Sequence, residues 1–260
     1  MASVALTIGG SDPSGGAGIQ ADLKTFHQFG VYGMSVLTLV TVQNTQRVSV
    51  VQPLDPALVA SQLEAVLEDI PPAAAKTGAL GTAGIIMEIA DRAVDFRFPL
   101  VVDPVMISKH GAPLIAGDAR SALLGSLIPR AFLITPNLQE AEALAGIPVT
   151  DVREMEVAAR LIADLGPAAV LVKGGHLADK AVDVLYWKGT VRHFVADKIT
   201  TVHTHGTGCT YSAAITAALA KGRSLPDAVE IAKRFITVAI QTNPGIGKGF
   251  GPVNHHARLD

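Results

Sequence analysis

TIGGSDPSGGAGIQADLKTF, residues Thr7 to Phe26, is the stretch that decides how this chain is read. An apolar run, Val4 to Ile8, enters a turn of small residues, after which Ile19, Leu23 and Phe26 recur on one helical face. A strand, a glycine-rich loop and a helix in that order form the first unit of an α/β sheet. Within the loop, Gly16-Ala17-Gly18-Ile19-Gln20-Ala21 satisfies G-x-G-x-x-A, a dinucleotide-binding pattern. That pattern also needs an acidic residue about 20 positions on to hold a ribose. From Leu23 to Leu54 there is neither Asp nor Glu, and no G-x-x-x-x-G-K-[ST] phosphate loop exists anywhere. Two readings remain: a turn that packs strand on helix, or a loop whose amides approach a ligand closely. The run of small residues favours the second.

Outward from this unit, short apolar runs at Met34 to Val42, Leu100 to Val102, Phe132 to Ile134 and Ala169 to Val172 alternate with helical patterns. Such alternation predicts βα units feeding a largely parallel sheet buried on both faces. Leu58, Leu63, Val66 and Leu67 follow the helix-start signal Pro56. Asp183 to Trp187 and Thr190 to Val195 flank Lys188-Gly189 as a hairpin would at a sheet edge. Two apolar helices, about Thr207 to Ala220 and Leu225 to Ile240, close the chain, and the polar end Asn254 to Asp260 reads as a frayed tail.

With 260 residues, 49% of them hydrophobic, residues 1–260 suit one large domain better than two. Charge is nearly balanced, 21 Lys+Arg against 23 Asp+Glu, so no basic field favours nucleic acid or anionic lipid. A small molecule is the expected partner. The single cysteine, Cys209, excludes an internal disulfide and fits the cytoplasm. The start MASVALTIGG lacks the basic region of a signal peptide, and no run approaches the roughly 18 apolar residues of a membrane span.

Ligands of open α/β sheets collect beyond the carboxyl ends of the strands. There this chain carries Gln43-Asn44-Thr45, Lys76-Thr77-Gly78, Asp103-Pro104-Val105-Met106, Thr135-Pro136-Asn137-Leu138-Gln139-Glu140, Lys173-Gly174-Gly175-His176 and His205-Gly206-Thr207-Gly208-Cys209. The last of these joins two glycines to a helix start, where unpaired amides and the helix dipole can hold an anion and stabilise a transferred phosphoryl group. Cys209 is either a buried structural thiol or, at that helix start, one with a depressed pKa. Asn137 and Glu140 form either a capping box or, with Asp103, a magnesium site. Lys173 either contacts phosphate or is a solvated strand-end charge. His176, His203 and His205 have no metal-site spacing.

Taken in order, TIGGSDPSGGAGIQADLKTF, VQNT (Val42 to Thr45), KTG (Lys76 to Gly78), VVDPVM (Val101 to Met106), ITPNLQEAE (Ile134 to Glu142), VLVKGGH (Val170 to His176), THGTGCTYSAAI (Thr204 to Ile215) and GPVNH (Gly251 to His255) resemble the hydroxymethylpyrimidine/phosphomethylpyrimidine kinases of the ribokinase-like superfamily over essentially the whole chain. The resemblance implies a three-layer α/β/α sandwich with a mainly parallel central sheet, usually a homodimer. It implies Mg-ATP-dependent phosphorylation of hydroxymethylpyrimidine and then of its monophosphate. By position, Gly10, Asp22, Gln43 and Val105 would contact the pyrimidine; Lys173, Asn137 and Thr207 would lie at the ATP phosphates. Asp103 and Glu140 would organise Mg²⁺, and Gly206, Thr207, Gly208 and Cys209 would serve the transfer itself, Cys209 standing where related kinases place an aspartate base. Two positions depart from the family: Ala79 replaces a frequent methionine, which widens the pocket wall, and His203 replaces an asparagine. A pyridoxal or pyridoxine kinase and a catalytically silent pyrimidine- or nucleotide-binding module are the alternative readings.

Overall fold

The structure is a computed structural model that describes residues 3–107, 111, 114, 117–175 and 180–259. In chain order its elements are β1 (Val4–Ser11), α1 (Gly18–Gln28), β2 (Tyr32–Gln43), β3 (Val48–Pro53), α2 (Pro56–Asp69), β4 (Ala74–Thr77), α3 (Ala83–Ala93), β5 (Leu100–Val102), α4 (Ala119–Ala122), β6 (Leu133–Ile134), α5 (Leu138–Ala145), α6 (Val152–Ala163), β7 (Ala169–Gly174), β8 (Lys180–Trp187), β9 (Thr190–Asp197), α7 (Thr207–Ala220) and α8 (Leu225–Gln241). One sheet runs β3-β2-β1-β4-β5-β6-β7-β8-β9. The six strands from β2 to β7 are parallel; β3 pairs antiparallel at one edge, and β8 and β9 do so at the other.

Successive residues of a strand point to opposite faces, and here both faces are covered. Ala5, Ala74, Val101, Leu133 and Leu171 pack in one cluster with Phe26 of α1 and the apolar faces of α7 and α8. Their neighbours Leu6, Ala75, Val102, Ile134 and Val172 pack in the other with Leu63 of α2, Ile86 of α3, Ala141 of α5 and Met155 of α6. The result is the expected α/β/α sandwich. Helix starts follow their sequence signals: Asp55 caps α2 ahead of Pro56, Asp151 caps α6, and Ser224 caps α8.

Three expectations change. Leu58 is 53% exposed, and α2 instead buries Val59, Ala60 and Leu63, because the helical face turned to the sheet is rotated one position from the one read in the sequence. Strands β3 and β4 were not visible as separate elements: β3 has no core-facing alternation, and β4 is four residues long with a lysine at its third position. The end of the chain is docked. Val253, His255 and Ala257 are buried, the Asn254 amide donates to Ala239 O at 2.9 Å, and Gln28 Nε2 donates to Ala257 O at 2.9 Å. His203, the unexplained departure, accepts the Gly251 amide on Nδ1 at 3.2 Å and so fastens this returning segment. Among the described residues no helix is long and apolar enough to cross a membrane.

The docked tail has a pH consequence. Burial, with Lys24 nearby, pushes the His255 imidazole down to about 4, and its Nε2 has no hydrogen-bond partner among the described residues. The unfolded chain therefore takes up a proton near pH 6.5 that the fold refuses until about pH 4. Stability is whole above pH 6.5 and falls by about 3 kcal/mol as pH drops through that window. His255→Gln should flatten the decline in urea melts between pH 7 and pH 4; an equally steep decline in the variant would refute the assignment.

Candidate active site

A cleft of about 750 Å³ lies at the carboxyl ends of the parallel strands. Its lining includes Gly10, Asp22, Gln43, Asp103, Val105, Asn137, Glu140, Lys173, Gly206, Thr207, Gly208 and Cys209, so all twelve residues singled out in the sequence share one cavity. They come from seven segments: the ends of β1, β2 and β7, the early turns of α1, the loop after β5, and the starts of α5 and α7, brought together because most lie at the carboxyl edge of the same sheet.

The floor is a set of buried charges. Lys76, on the face of β4 turned toward α1 and α7, is wholly buried and bonds Asp22 Oδ1 at 2.7 Å. Thr7 Oγ1 donates to the other Asp22 oxygen at 2.6 Å, and Lys76 Nζ also reaches Cys209 O at 3.4 Å. Burial works against the Lys76 ammonium, but the Asp22 carboxylate holds its pKa above the ordinary value. Asp22 is thus committed on both oxygens within the protein, so it supports the pocket from below as well as lining it.

Lys173, from the end of β7, bonds Asp103 Oδ1 at 2.8 Å and is 13% exposed, not a solvated charge. Thr135 Oγ1 also donates to Asp103 Oδ1, at 3.0 Å, and Ser212 Oγ to Oδ2 at 3.3 Å. A Cβ on Gly208 would stand 3.4 Å from Lys173 Nζ and 3.8 Å from Asp103 Oδ2, which places this ion pair against the start of α7. There Gly206, at φ +78°, is the N-cap, and no side chain caps the helix. The Thr207 amide is engaged by Thr204 O at 3.3 Å, leaving those of Gly208 and Cys209 as donors for an anion.

Asn137 and Glu140 do form the capping box: Asn137 Oδ1 accepts from Glu140 N at 2.9 Å, and Glu140 Oε2 accepts from Asn137 N at 2.8 Å. The box uses one carboxylate oxygen. Burial pushes Glu140 up to about 7, with Lys173 opposing and Asp103 reinforcing the rise. Asp22 and Asp103 each pair with a lysine, and Glu140, raised to about 7, is an extra carboxyl that a nearby divalent cation would hold ionised. Asp103 and Glu140 therefore fit the one or two carboxylates that Mg²⁺ takes beside substrate phosphates and water. Among the described residues no cluster of three such side chains forms a metal cage.

Cys209 differs from expectation. Its thiol is pushed up to about 11, first by burial and then by the Asp22 and Asp103 carboxylates, against which Lys76 and the Gly18 amide pull only partly. The helix start does not compensate, since Cys209 is the third residue of α7 and partly buried. In the ligand-free protein iodoacetamide should label it slowly at pH 7 and quickly only above about pH 10. Fast labelling at neutral pH would show a thiolate that these surroundings do not favour.

Sequence reading missed the residues that hold the walls. Asp183 accepts from Tyr211 OH at 2.9 Å, Lys233 Nζ at 2.7 Å and the Gly174 amide at 3.0 Å. It thereby fixes the strand end that carries Lys173 to α7 and α8. A lysine inside the apolar run of α8 was the available signal. The expected substrate-side wall is where Ala79 stands beside Leu39, and a Cβ on Gly10 would meet Leu39 Cδ1 at 2.5 Å. His176 lies outside the described residues.

The family model described as phosphomethylpyrimidine kinase matches residues 12–254. A hydroxymethylpyrimidine/phosphomethylpyrimidine kinase of Haemophilus influenzae is 49% identical over 260 residues, covering 97% of this chain and 96% of its own. A thiamine biosynthesis bifunctional protein of Geobacter sulfurreducens is 49% identical over 96% of this chain, which spans about half (51%) of that longer protein. Among solved structures, an ADP complex of Bacillus subtilis pyridoxal kinase superposes with a TM-score of 0.92 at 42% identity, covering 99% of this chain and 98% of its own.

Proposed function

Because the chain belongs to the phosphomethylpyrimidine kinase family, we propose that its cleft phosphorylates hydroxymethylpyrimidine and then the resulting monophosphate, with ATP as donor, as a step of thiamine biosynthesis. The enzyme is a phosphotransferase of ribokinase-like fold. The observation that carries the reading is the meeting of the Lys173–Asp103 ion pair with the uncapped start of α7 at Gly208, a lysine and a carboxylate beside free helix-start amides.

Phosphoryl transfer passes through a loose transition state in which positioning and charge stabilisation dominate. In this reading Gly10, Gln43 and Val105 hold the pyrimidine, and Asp22 acts on that pocket through Lys76 and Thr7. Lys173, Asn137 and Thr207 lie at the ATP phosphates, and the amides of Gly208 and Cys209 take the developing charge on the transferred group. Asp103 and Glu140 would hold Mg²⁺, which would offset charge on the phosphates. Cys209, a neutral thiol at pH 7, orients the substrate hydroxyl and does not act as a strong base. A phosphate acceptor already carries its own oxyanion, since its second pKa is about 6. Cys209→Ala should therefore slow the first phosphorylation by about tenfold or less and the second hardly at all; a loss of 10³-fold or more in both would restore the base.

The same reading places the enzyme in the cytoplasm as a homodimer. Val40, Val42 and Val50, on the β2–β3 edge, are 41%, 56% and 47% exposed, an apolar strip suited to a second copy. The second substrate reading, pyridoxal, is favoured by the 0.92 superposition on a pyridoxal kinase. Steady-state ADP release with each alcohol tests the choice: kcat/KM for hydroxymethylpyrimidine should exceed that for pyridoxal or pyridoxine, and the reverse order would transfer the assignment.

A further inference from the structure

The two halves of the cleft are in direct contact. On the substrate side, the glycine-rich loop folds around Asp12, which is 1% exposed. Asp12 Oδ1 accepts from the Ser14 amide at 2.8 Å and from Ser14 Oγ at 2.7 Å. Its Oδ2 accepts from the amides of Gly16 at 3.1 Å and Ala17 at 2.8 Å. The same Oδ2 lies 2.8 Å from Nε2 of His205, the residue immediately before the N-cap of α7. Burial alone would raise this carboxyl, yet these bonds bring it down to about 2.

Backbone packing reinforces the link. A Cβ on Gly206 would stand 1.8 Å from Gly16 O, and one on Gly16 would stand 2.6 Å from the His205 ring. At both positions only glycine lets the two segments approach this closely, and Gly206 also needs its left-handed φ of +78°. From behind, the His205 amide donates to Gly251 O at 3.0 Å and the Val253 amide to His205 O at 3.2 Å. His205 is thus clamped between the loop that faces one substrate and the segment that closes the chain, while its successor begins the anion site.

We propose that Asp12 and His205 are positioning residues that lock the substrate-side loop onto the phosphoryl-side helix start, so that acceptor and donor meet in one register. The inference rests on the kinase reading above. Neither residue need touch the reacting atoms. A displacement of about 1 Å between reacting groups can cost up to 10²-fold in rate, and the buried Asp12–His205 bond ties together the two segments that set that distance.

The test compares His205→Leu, which removes the donor, with His205→Gln, whose amide can reach Asp12, and with Asp12→Asn. Melting temperature, kcat and both KM values are measured on each. His205→Leu and Asp12→Asn should lower kcat by about tenfold to a hundredfold with smaller changes in either KM, and His205→Gln should recover most of that loss. Normal kcat in a thermally weakened His205→Leu overturns the proposal, as does a glutamine variant no better than leucine. A rise confined to the KM for ATP would make His205 a nucleotide contact and overturn the proposal, as would failure of both His205→Leu and Asp12→Asn to fold, which would leave the pair purely structural. An inactive wild type would fault the kinase reading itself, whereas an active wild type with an equally active leucine variant faults only this inference.

Discussion

Lys76→Met is expected to lower the unfolding free energy by about 3–5 kcal/mol, the cost typical of removing one partner from a buried ion pair. Lys76 and Asp22 are 0% and 2% exposed, so nothing but the protein can compensate the carboxylate left behind. Burial raises the Asp22 pKa even with the lysine in place. Without it the folded carboxyl lies still further above its unfolded value. For an acid shifted upward, stability is lost as pH rises from the unfolded pKa through the folded one. The variant should therefore be less impaired at pH 5 than at pH 8. Adding Asp22→Asn removes the orphaned charge and should restore most of the loss. Urea denaturation at the two pH values checks all three statements, and a single-variant loss below about 1 kcal/mol would show that the pair is not ionised in the fold. Turnover should fall too, since Lys76 also supports the Cys209 carbonyl in the first turn of α7.

Glu140→Gln separates charge from capping. Glutamine can still accept the Asn137 amide, so the box survives and the melting temperature should be unchanged or slightly higher, given that burial already penalises the carboxylate. Turnover should fall by about 10²-fold or more, and the magnesium concentration for half-maximal rate should rise by about 10- to 100-fold. Titration of MgCl₂ at fixed ATP measures both. A large loss of stability with normal magnesium dependence would leave Glu140 as a capping residue and nothing else.

The parallel sheet was legible because its strands are buried on both faces and read as uninterrupted apolar runs, as in Ala169 to Val172. The bounds of α7 were legible because Gly206 stands just before it and its apolar character is continuous. Strand β4 was not, since Ala74 and Ala75 carry little apolar signal and the lysine that follows is stabilised chiefly by a carboxylate 54 positions away in sequence. The site residues were legible as a group because strand-end loops of an open α/β sheet converge on one cleft. Their electrostatics were not. A thiol at a helix start reads as activated, and only the tertiary neighbours Asp22 and Asp103 reverse that for Cys209. The docked tail escaped notice for a similar reason: Asn254 to His256 look polar, but Asn254 bonds Ala239 O of α8 and the Thr242 hydroxyl just beyond it, and the His256 amide turns back to Asn254 Oδ1.

The central claim is that one cleft carries out two successive transfers, to an alcohol and then to the phosphate just made. Phosphorus NMR of purified protein with Mg-ATP and hydroxymethylpyrimidine measures this directly. The account predicts a monophosphate resonance that rises and then falls as the coupled doublet of a pyrimidine diphosphate replaces it. A monophosphate that accumulates without conversion, or phosphorylation of pyridoxal alone, would contradict it.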